Sequence, residues 1–435
     1  MSRKRALVGV DIGTTNVKVV AYDVEGRVLA SAGRPQEVHR PRPGWAEYDP
    51  ETMFDAAASS LREVVEQLDD RSVAGVAVTS MAETAVALDA AGEPVHAAIA
   101  WHDERTGRQA EWWRDELGDD AVYAHTGLPI LPIFGVNKMM WLREHAAGAW
   151  ERTRLWLNTA DYMAWRLSGE AATDLSLASR TMLLDLQARD WSDDLLARAG
   201  IDRGLLAPLV ESGTPIGTVH ARARARTGLP EGTPVVAGGH DHPCGALALG
   251  VAAKGDVLDS IGTSESLVTV TDVPDLGPDM ARSGYQQGAH VVPGRFYCNG
   301  GLYTAGAALQ WIRELLDAGG DDAFARLLAS GRRRGAFFLP HLRIASPPVV
   351  DPRTRAAFVG LDASTTQADL TRAVVDGLVF EAQASLDGME ERLGFETARL
   401  SAIGGGARID SLMRAKASLL GREVRIADVD EASTL

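Results

Sequence analysis

One pattern is written twice in this chain. Near the N-terminus it reads Leu7-Val8-Gly9-Val10-Asp11-Ile12-Gly13-Thr14-Thr15-Asn16, and past the midpoint a reduced version reads Val257-Leu258-Asp259-Ser260-Ile261-Gly262-Thr263-Ser264. Each is an apolar strand running into a Gly-Thr turn and then into more strand. Gly13 allows a tight turn and close backbone approach to an anion. Thr14 and Thr15 add hydroxyl donors. Val17, Val19 and Ala21 alternate with Lys18, Val20 and Tyr22, and Asp23-Val24-Glu25-Gly26 turns into a third strand, Arg27 to Ser31. The glycine turn therefore joins antiparallel strands, whereas a Rossmann or Walker loop opens a helix. Asp11, at the end of a buried strand, needs a partner or a nearby cation. One such loop fits an ordinary capped hairpin. Two, in separate halves, predict a duplicated domain holding one polyphosphate from both sides.

Bulk properties narrow the classes. A chain of 435 residues has room for two or three domains, and 46% hydrophobic with 24% charged residues is ordinary for a globular protein. A formal net charge of −15 argues against a nucleic-acid groove. The tight basic run Arg332-Arg333-Arg334 is expected to be a solvated turn. Cys244 and Cys298 are the only cysteines, so no disulfide framework is expected and a reducing, cytoplasmic setting is the default. The basic start Ser2-Arg3-Lys4-Arg5 is followed too soon by Asp11 to be a signal peptide, and no run approaches the roughly 18 apolar residues of a membrane span.

Along the chain, Asp49-Pro50-Glu51 reads as an N-cap, N1 proline and first-turn acid of a helix to about Leu68. Val73 to Val78, Ala85 to Leu88 and Val95 to Ala100 read as strands, and Asp103-Glu104-Arg105 as the opening of a helix carrying Trp112 and Trp113. Asn137 to His145 and Asp161 to Leu167 look helical. Antiparallel strands mixed with crossover helices indicate α/β with a mixed sheet. The loop-like stretch Leu229 to Pro234 places a domain boundary near residue 235, with Val235 to Gly239 entering the second unit. Helices are expected at Gly306 to Leu316, Ala368 to Leu393 and Ser411 to Leu420.

Three constellations carry chemistry. Gly404-Gly405-Gly406-Ala407 follows a strand and precedes a helix. Its bare backbone suits a flat nucleoside ring, or else close strand–helix packing. Gly239-His240-Asp241-His242 lies between an apolar strand and the small-residue helix Cys244 to Leu249. Asp241 there is a candidate general base, with helix capping as the alternative. A metal site from His240, His242 and Cys244 is the poorer alternative, because residues on opposite sides of an extended backbone do not converge and no fourth ligand is apparent. Met81-Ala82-Glu83-Thr84 and Trp101-His102-Asp103-Glu104-Arg105 combine aromatic, acid and imidazole, which suits a sugar's apolar face and hydroxyls. An exposed turn and a helix N-terminus are the plain alternatives.

These motifs, with Gly44-Trp45-Ala46-Glu47, Gly306 to Trp311 and Asp351-Pro352 to Leu361, resemble in kind and order the FGGY carbohydrate kinases of the actin-like ATPase superfamily, from Leu7 nearly to the C-terminus. The resemblance implies two duplicated actin-like (ribonuclease H-like) domains with mixed sheets flanked by helices and a cleft between them. Residues 1–235 would bind sugar and 236–435 would bind ATP. Asp241 matches the catalytic base, and Asp11 with Asp241 the acids near Mg²⁺. Thr14, Thr15 and Lys18 match the first phosphate loop, and Gly262 and Thr263 the second. Gly306 and Gln310 match nucleotide contacts, and Gly405, Gly406, Ala407 and Asp410 the adenosine seat. Ala82, Glu83, Trp101, His102, Asp241 and His242 would meet the sugar.

Ala82 stands where glycerol kinases carry arginine and Ile133 where they carry a substrate tyrosine, and the Met-His pair of xylulokinases is missing at Ala82 and Glu83. Gly135 also departs from the signature before Lys138. Relatives of this kind continue past the position of Leu435 through a glycine- and alanine-rich helix, expected to pack on the second domain. The expected activity is phosphoryl transfer from ATP, with Mg²⁺, to a hydroxyl of a small sugar or polyol, such as the ketose xylulose. Members often dimerise. An actin- or chaperone-like ATPase without a sugar acceptor, and a sugar- or nucleotide-sensing pseudokinase, are the rival readings.

Overall fold

A computed structural model describes residues 5–69, 71–331, 335–427 and 432–435. The Arg332-Arg333-Arg334 run lies outside the described residues. The chain divides into two compact units: Met1–Ala248 with Gly288–Arg295 and Glu431–Leu435, and Leu249–Gln287 with Phe296–Asp430.

The first unit is built on a six-stranded sheet of Arg5–Ile12 (β1), Asn16–Tyr22 (β2), Val28–Pro35 (β3), Ser72–Ser80 (β4), Pro215–Thr218 (β5) and Pro234–His240 (β6), in the order β5-β6-β4-β1-β2-β3. β1, β2 and β3 form an antiparallel meander, while β4 runs parallel to β1 and β6 parallel to β4. Ala6, Val8, Val10 and Ile12 of β1 are buried in one core with Met53, Phe54, Ala57 and Leu61 of the helix Pro50–Glu66 (α1). α1 begins as its sequence predicts: Pro50 opens it and the Asp49 side chain accepts from the Thr52 amide. Such a cap is worth about 1 kcal/mol. Four further helices position the site: Gly135–His145 (α2), Thr159–Ser168 (α3), Leu175–Ser179 (α4) and Asp241–Ala248 (α5).

The second unit repeats the scheme. Its strands are Asp256–Ile261 (β7), Glu265–Thr271 (β8), Gln286–Ala289 (β9), Phe296–Leu302 (β10), Arg399–Ile403 (β11) and Val424–Ile426 (β12), in the order β9-β10-β8-β7-β11-β12. β7, β8 and β10 are antiparallel, and β11 and β12 follow in parallel. The helices Gly306–Leu315 (α6), Gln367–Leu393 (α7) and Asp410–Leu420 (α8) accompany this sheet. β7 and β8 therefore stand in the second sheet as β1 and β2 stand in the first, and the two Gly-Thr turns occupy equivalent hairpins. The predicted duplication is present.

Three expectations change. The strand after Pro234 completes the first sheet beside β4, so the first unit runs on through α5 and the boundary near residue 235 moves to Ala248. An apolar strand alone carries no label saying which sheet it joins. The strand expected over Val95 to Ala100 shrinks to Ala98–Ile99, which pairs with the two-residue strand Glu47–Tyr48. Ala432–Thr434 lies in the first unit, where Thr434 Oγ1 and Tyr22 OH are 2.7 Å apart, rather than on the second unit.

Candidate active site

The first Gly-Thr turn is clasped by side chains from outside its hairpin. Gly13 N–H donates to the Asn16 carbonyl at 3.0 Å, closing the turn. Gln36 Nε2 donates to the Gly13 carbonyl at 2.5 Å and Tyr48 OH to the Thr14 carbonyl at 3.0 Å. Trp101 Nε1 donates to Thr14 Oγ1 at 2.9 Å, so the first phosphate motif and the expected sugar cluster are in direct contact. Gly13 lies outside the left-handed backbone region, and a Cβ there would sit 3.2 Å from the Asn16 carbonyl oxygen. Asp11 is paired across the strands with Lys18, and its Oδ2 accepts from Ser433 Oγ at 2.6 Å. Thr15 is exposed.

Glu83 is not an exposed turn residue. It is buried, with φ at +61°, a conformation costing on the order of 1–3 kcal/mol unless its surroundings enforce it. They do. Lys138 Nζ, from α2, donates to the Glu83 carbonyl at 2.5 Å. Arg180, just after α4, donates to Glu83 Oε1 through Nε at 2.6 Å and through its terminal nitrogen at 2.5 Å. Burial drives the Lys138 ammonium down to about 7, against the raising fields of Glu83 and Asp103. Gly135 also finds a reason: a Cβ there would meet Thr181 Cα at 3.2 Å, where α2 abuts the Arg180 segment. Arg180 had no role in the sequence reading. Its signal was a single cation inside the apolar stretch Leu175 to Leu186. Ala82 is buried beside Glu83.

Trp101 and His102 meet edge to face with ring centroids 5.2 Å apart. His102 Nδ1 is buried with no hydrogen-bond partner among the described residues, and burial followed by the charges of Arg40 and Lys138 pushes the imidazole toward its neutral form. Asp103 and Arg105 do not open a helix; that element starts at Gly107. Arg105 instead binds Asp103 and Glu47, each at 2.7 Å, and lies 3.8 Å from the centre of the Trp45 ring. Asp103 Oδ2 also accepts from the Ala46 amide at 2.6 Å. The Gly44-to-Glu47 and Trp101-to-Arg105 motifs are thus one buried knot that fixes the Trp101 strand end.

Asp241 begins α5, where the chain turns sharply out of β6. Its Oδ1 accepts from the His242 amide at 2.7 Å and faces His240 Nε2 at 3.1 Å. The side chain is about a quarter exposed. Burial raises its pKa, but His242 and His240 together outweigh that and leave it at about 2. Asp241 is therefore a carboxylate throughout the neutral range. Backbone pairing ties this helix start to the Glu83 segment: His240 pairs with Ser80 of β4, three residues before Glu83, and its amide donates to Ser176 Oγ in α4, the helix that precedes Arg180. The expectation that the histidines diverge is overturned. Because Asp241 is helical rather than extended, the His240 and His242 rings stack 5.3 Å apart, and ligand atoms of His240, Asp241 and His242 lie within 4.8 Å of one another. Cys244 stays outside that group, its thiol pushed up by burial.

In the second unit three motifs converge on the end of β7. The Gly262 amide donates to the Ser264 carbonyl at 2.8 Å. The amide of Gly306, opening α6, donates to the Gly262 carbonyl at 3.0 Å, and Ala305 and Ala307 amides reach the Thr263 carbonyl at 3.0 and 3.1 Å. A Cβ on Gly306 would be driven into that Gly262 carbonyl. The triple-glycine turn divides its labour. Gly404 has φ +89°, and a Cβ there would sit 2.6 Å from the Ile261 carbonyl oxygen; Gly406 leaves no room for a Cβ beside Ile261. Gly405 faces open space, and a Cβ on Gly262 would approach nothing nearer than the Ser264 carbonyl oxygen, at 3.7 Å. Close packing thus accounts for two of the three glycines. Gly406 and Ala407 are buried, while Gly262 and Thr263 are exposed. Gln310 donates to Glu314 at 2.8 Å and Asp410 pairs with Arg414 at 2.7 Å, both on exposed helix surface.

Comparison with known proteins bears on this arrangement. The N-terminal domain of the FGGY family of carbohydrate kinases matches residues 6–248, and its C-terminal domain matches 258–435. The chain is 27% identical over 423 residues to a xylulose kinase of Staphylococcus xylosus, covering 96% of this chain and 86% of that one. It is 30% identical over 440 residues to a glycerol kinase of Alkalilimnicola ehrlichii, covering 98% and 88%. The crystal structure of xylulose kinase from Rhodospirillum rubrum superposes with a TM-score of 0.91 at 29% identity, over 99% of this chain and 88% of that one. The two six-stranded units are those of the actin-like ATPase fold, and among the described residues no helix is long and apolar enough to cross a membrane. The chain belongs to the FGGY family of carbohydrate kinases, phosphotransferases whose acceptor is an alcohol group.

Proposed function

We propose that this kinase phosphorylates a small ketose or polyol, with xylulose the first acceptor to test, and that Asp241 is its general base. One observation carries this reading: the Asp241 carboxylate, ionised and oriented through Oδ1 by two neighbours, follows directly on His240, which pairs with Ser80 three residues before the buried Glu83 and hydrogen-bonds the helix that precedes Arg180. Glu83 accepts and Arg180 donates, so together they suit adjacent hydroxyls of a polyol. The Trp101 ring offers an apolar face and His102 Nδ1 a further polar contact. Ala82 and Ile133 argue against glycerol itself.

The acceptor hydroxyl gives its proton to Asp241 Oδ2 as its oxygen forms a bond to the γ-phosphorus of ATP. The bond from that phosphorus to the β–γ bridging oxygen breaks, and ADP leaves. Such transfer depends on positioning and charge neutralisation more than on covalent chemistry. Thr14, Thr15 and Lys18 would bind phosphate oxygens, as would Gly262 and Thr263. Gly306, Gln310, Gly405, Gly406, Ala407 and Asp410 would hold the rest of the nucleotide. The open space over Gly405 and Gly262, which a side chain would fill, fits a nucleotide there. The half-buried Asp11 carboxylate, with Asp241, suits a hard cation, and Mg²⁺ bound there would neutralise phosphate charge.

Asp241→Asn should fold and bind ATP while losing at least about 100-fold in turnover. Near-normal turnover would remove Asp241 from this role. Phosphate transfer measured across ketoses and polyols, with ATP consumption recorded in their absence, separates a sugar kinase from a plain ATPase. Tight sugar binding without turnover would favour a sensing role.

A further inference from the structure

The second Gly-Thr turn stands on a buried group of three charges. Asp259, in β7, precedes the turn, and Glu265 opens β8 directly after Ser264. Lys416, from the middle of α8, reaches both: its Nζ donates to Glu265 Oε1 at 2.8 Å and also to Asp259 Oδ2. All three side chains are at most 2% exposed. α8 is the helix that follows the triple-glycine turn. One ammonium therefore ties the hairpin of the phosphate turn to the helix of the adenosine turn.

Stability does not explain this arrangement. Burying each charge costs several kcal/mol, and apolar side chains of the same volume would do at least as well. Two carboxylates share one cation. Burial, with Asp259 beside it, holds the Glu265 carboxyl above its usual range. What the group supplies is geometry, since the ammonium satisfies both acids only when β7, β8 and α8 keep one spacing. The contacts above it have no slack. Gly404 and Gly406 sit against Ile261 with no space for a Cβ, so a displacement of α8 passes directly to the residue that precedes Gly262.

We propose that Lys416 is a positioning residue for the nucleotide: through Asp259 and Glu265 it fixes the phosphate-binding turn at Gly262 relative to the nucleoside-binding turn at Gly405. The inference rests on the nucleotide reading of those two turns.

Lys416→Met alone would leave two buried acids without a cation and is expected to damage folding. The informative chain carries Lys416→Met, Asp259→Asn and Glu265→Gln together, which removes the charges and keeps the volume. It should fold with native circular dichroism. Its Kd for ADP by calorimetry and its KM for ATP should rise about tenfold or more, while the KM for the acceptor stays within about twofold. Lys416→Arg, with Asp259 and Glu265 intact, keeps the charge and should hold ADP affinity to within about threefold of the wild type. A folded triple variant with wild-type ADP affinity overturns the proposal. So does a parallel loss of ADP and acceptor affinity, which marks a general distortion. Thr263→Val and Gly405→Val in the otherwise natural chain separate the two levels. If both leave ADP binding intact, the nucleotide reading fails and the positioning role falls with it. If they weaken ADP while the triple variant does not, only the positioning role is lost.

Discussion

In the first unit the Gly13 turn is gripped from the side by neutral groups of Gln36, Tyr48 and Trp101, two of which also belong to the architecture around the acceptor cluster. In the second unit the Gly262 turn is gripped from behind, by the first amides of α6 and by buried charges below the hairpin. The strands are equivalent and the turns share a Gly-Thr pair, yet their supports have nothing in common. The two copies share the hairpin and differ in the neighbours that hold it. The first turn is tied to the cluster proposed to meet the acceptor and the second to the turns proposed to meet the nucleotide.

The largest break in this contrast should come from one methyl group. Gly306→Ala drives a Cβ into the Gly262 carbonyl, a backbone atom that cannot swing away. We expect the KM for ATP to rise by about 100-fold and stability to fall by about 1–3 kcal/mol in denaturant unfolding. Gly13→Ala, where the nearest oxygen lies 3.2 Å away, should cost only a few tenths to about 1 kcal/mol. Equal effects at the two positions would mean that the turns are supported alike.

A smaller change tests the wiring of the first turn. Trp101→Phe keeps an aromatic face but removes the 2.9 Å hydrogen bond to Thr14 Oγ1. Loss of a part-buried hydrogen bond is worth about 1 kcal/mol, so kcat/KM for the acceptor should fall by roughly fivefold. ATP affinity measured without acceptor should move less. A pure ATP effect would place Trp101 with the nucleotide and erase the division between the turns.

How much of this was legible beforehand follows from the kind of signal each feature leaves. The strand-turn-strand pattern and its repetition survive in any sequence that builds them, because period-2 burial and turn chemistry are local. So are the cap at Asp49 and the helix expected over Ser411 to Leu420, which the structure starts at Asp410. The sheet membership of Val235 to His240 was not legible, since pairing with β4 is decided by tertiary contact. The same holds for the site. Glu83, Trp101 and Asp241 stood out by residue type in polar clusters. Arg180 is a single cation in an apolar segment and Lys416 one of two cations on its helix, and their partners Glu83 and Glu265 are 97 and 151 residues away. The convergence of His240 and His242 was not legible, because the helix begins at Asp241, three residues before the expected start at Cys244.

The finest test uses pH, because the supports of the two turns differ in whether they titrate. Burial pushes the Tyr48 phenol up to about 12, so that grip on Thr14 stays neutral throughout the ordinary range. Glu265 is different. Its pKa is raised in the folded chain, first by burial and then by the charge of Asp259. Between its ordinary value and its raised one the native state holds a proton that the unfolded chain has released. Stability from this group is therefore fully present below the unfolded value and is lost as pH rises through the folded one. Glu265→Gln cannot titrate and removes that component. The drop in unfolding free energy from pH 5 to pH 8 should be smaller in Glu265→Gln than in the wild type, by on the order of 1 kcal/mol. Trp101→Phe, which alters only neutral contacts, should leave the wild-type slope unchanged. If Glu265→Gln instead steepens the slope, the native state favours the ionised carboxylate. Lys416 would then compensate for both acids, and the second turn would rest on a charge-balanced support as insensitive to pH as the first.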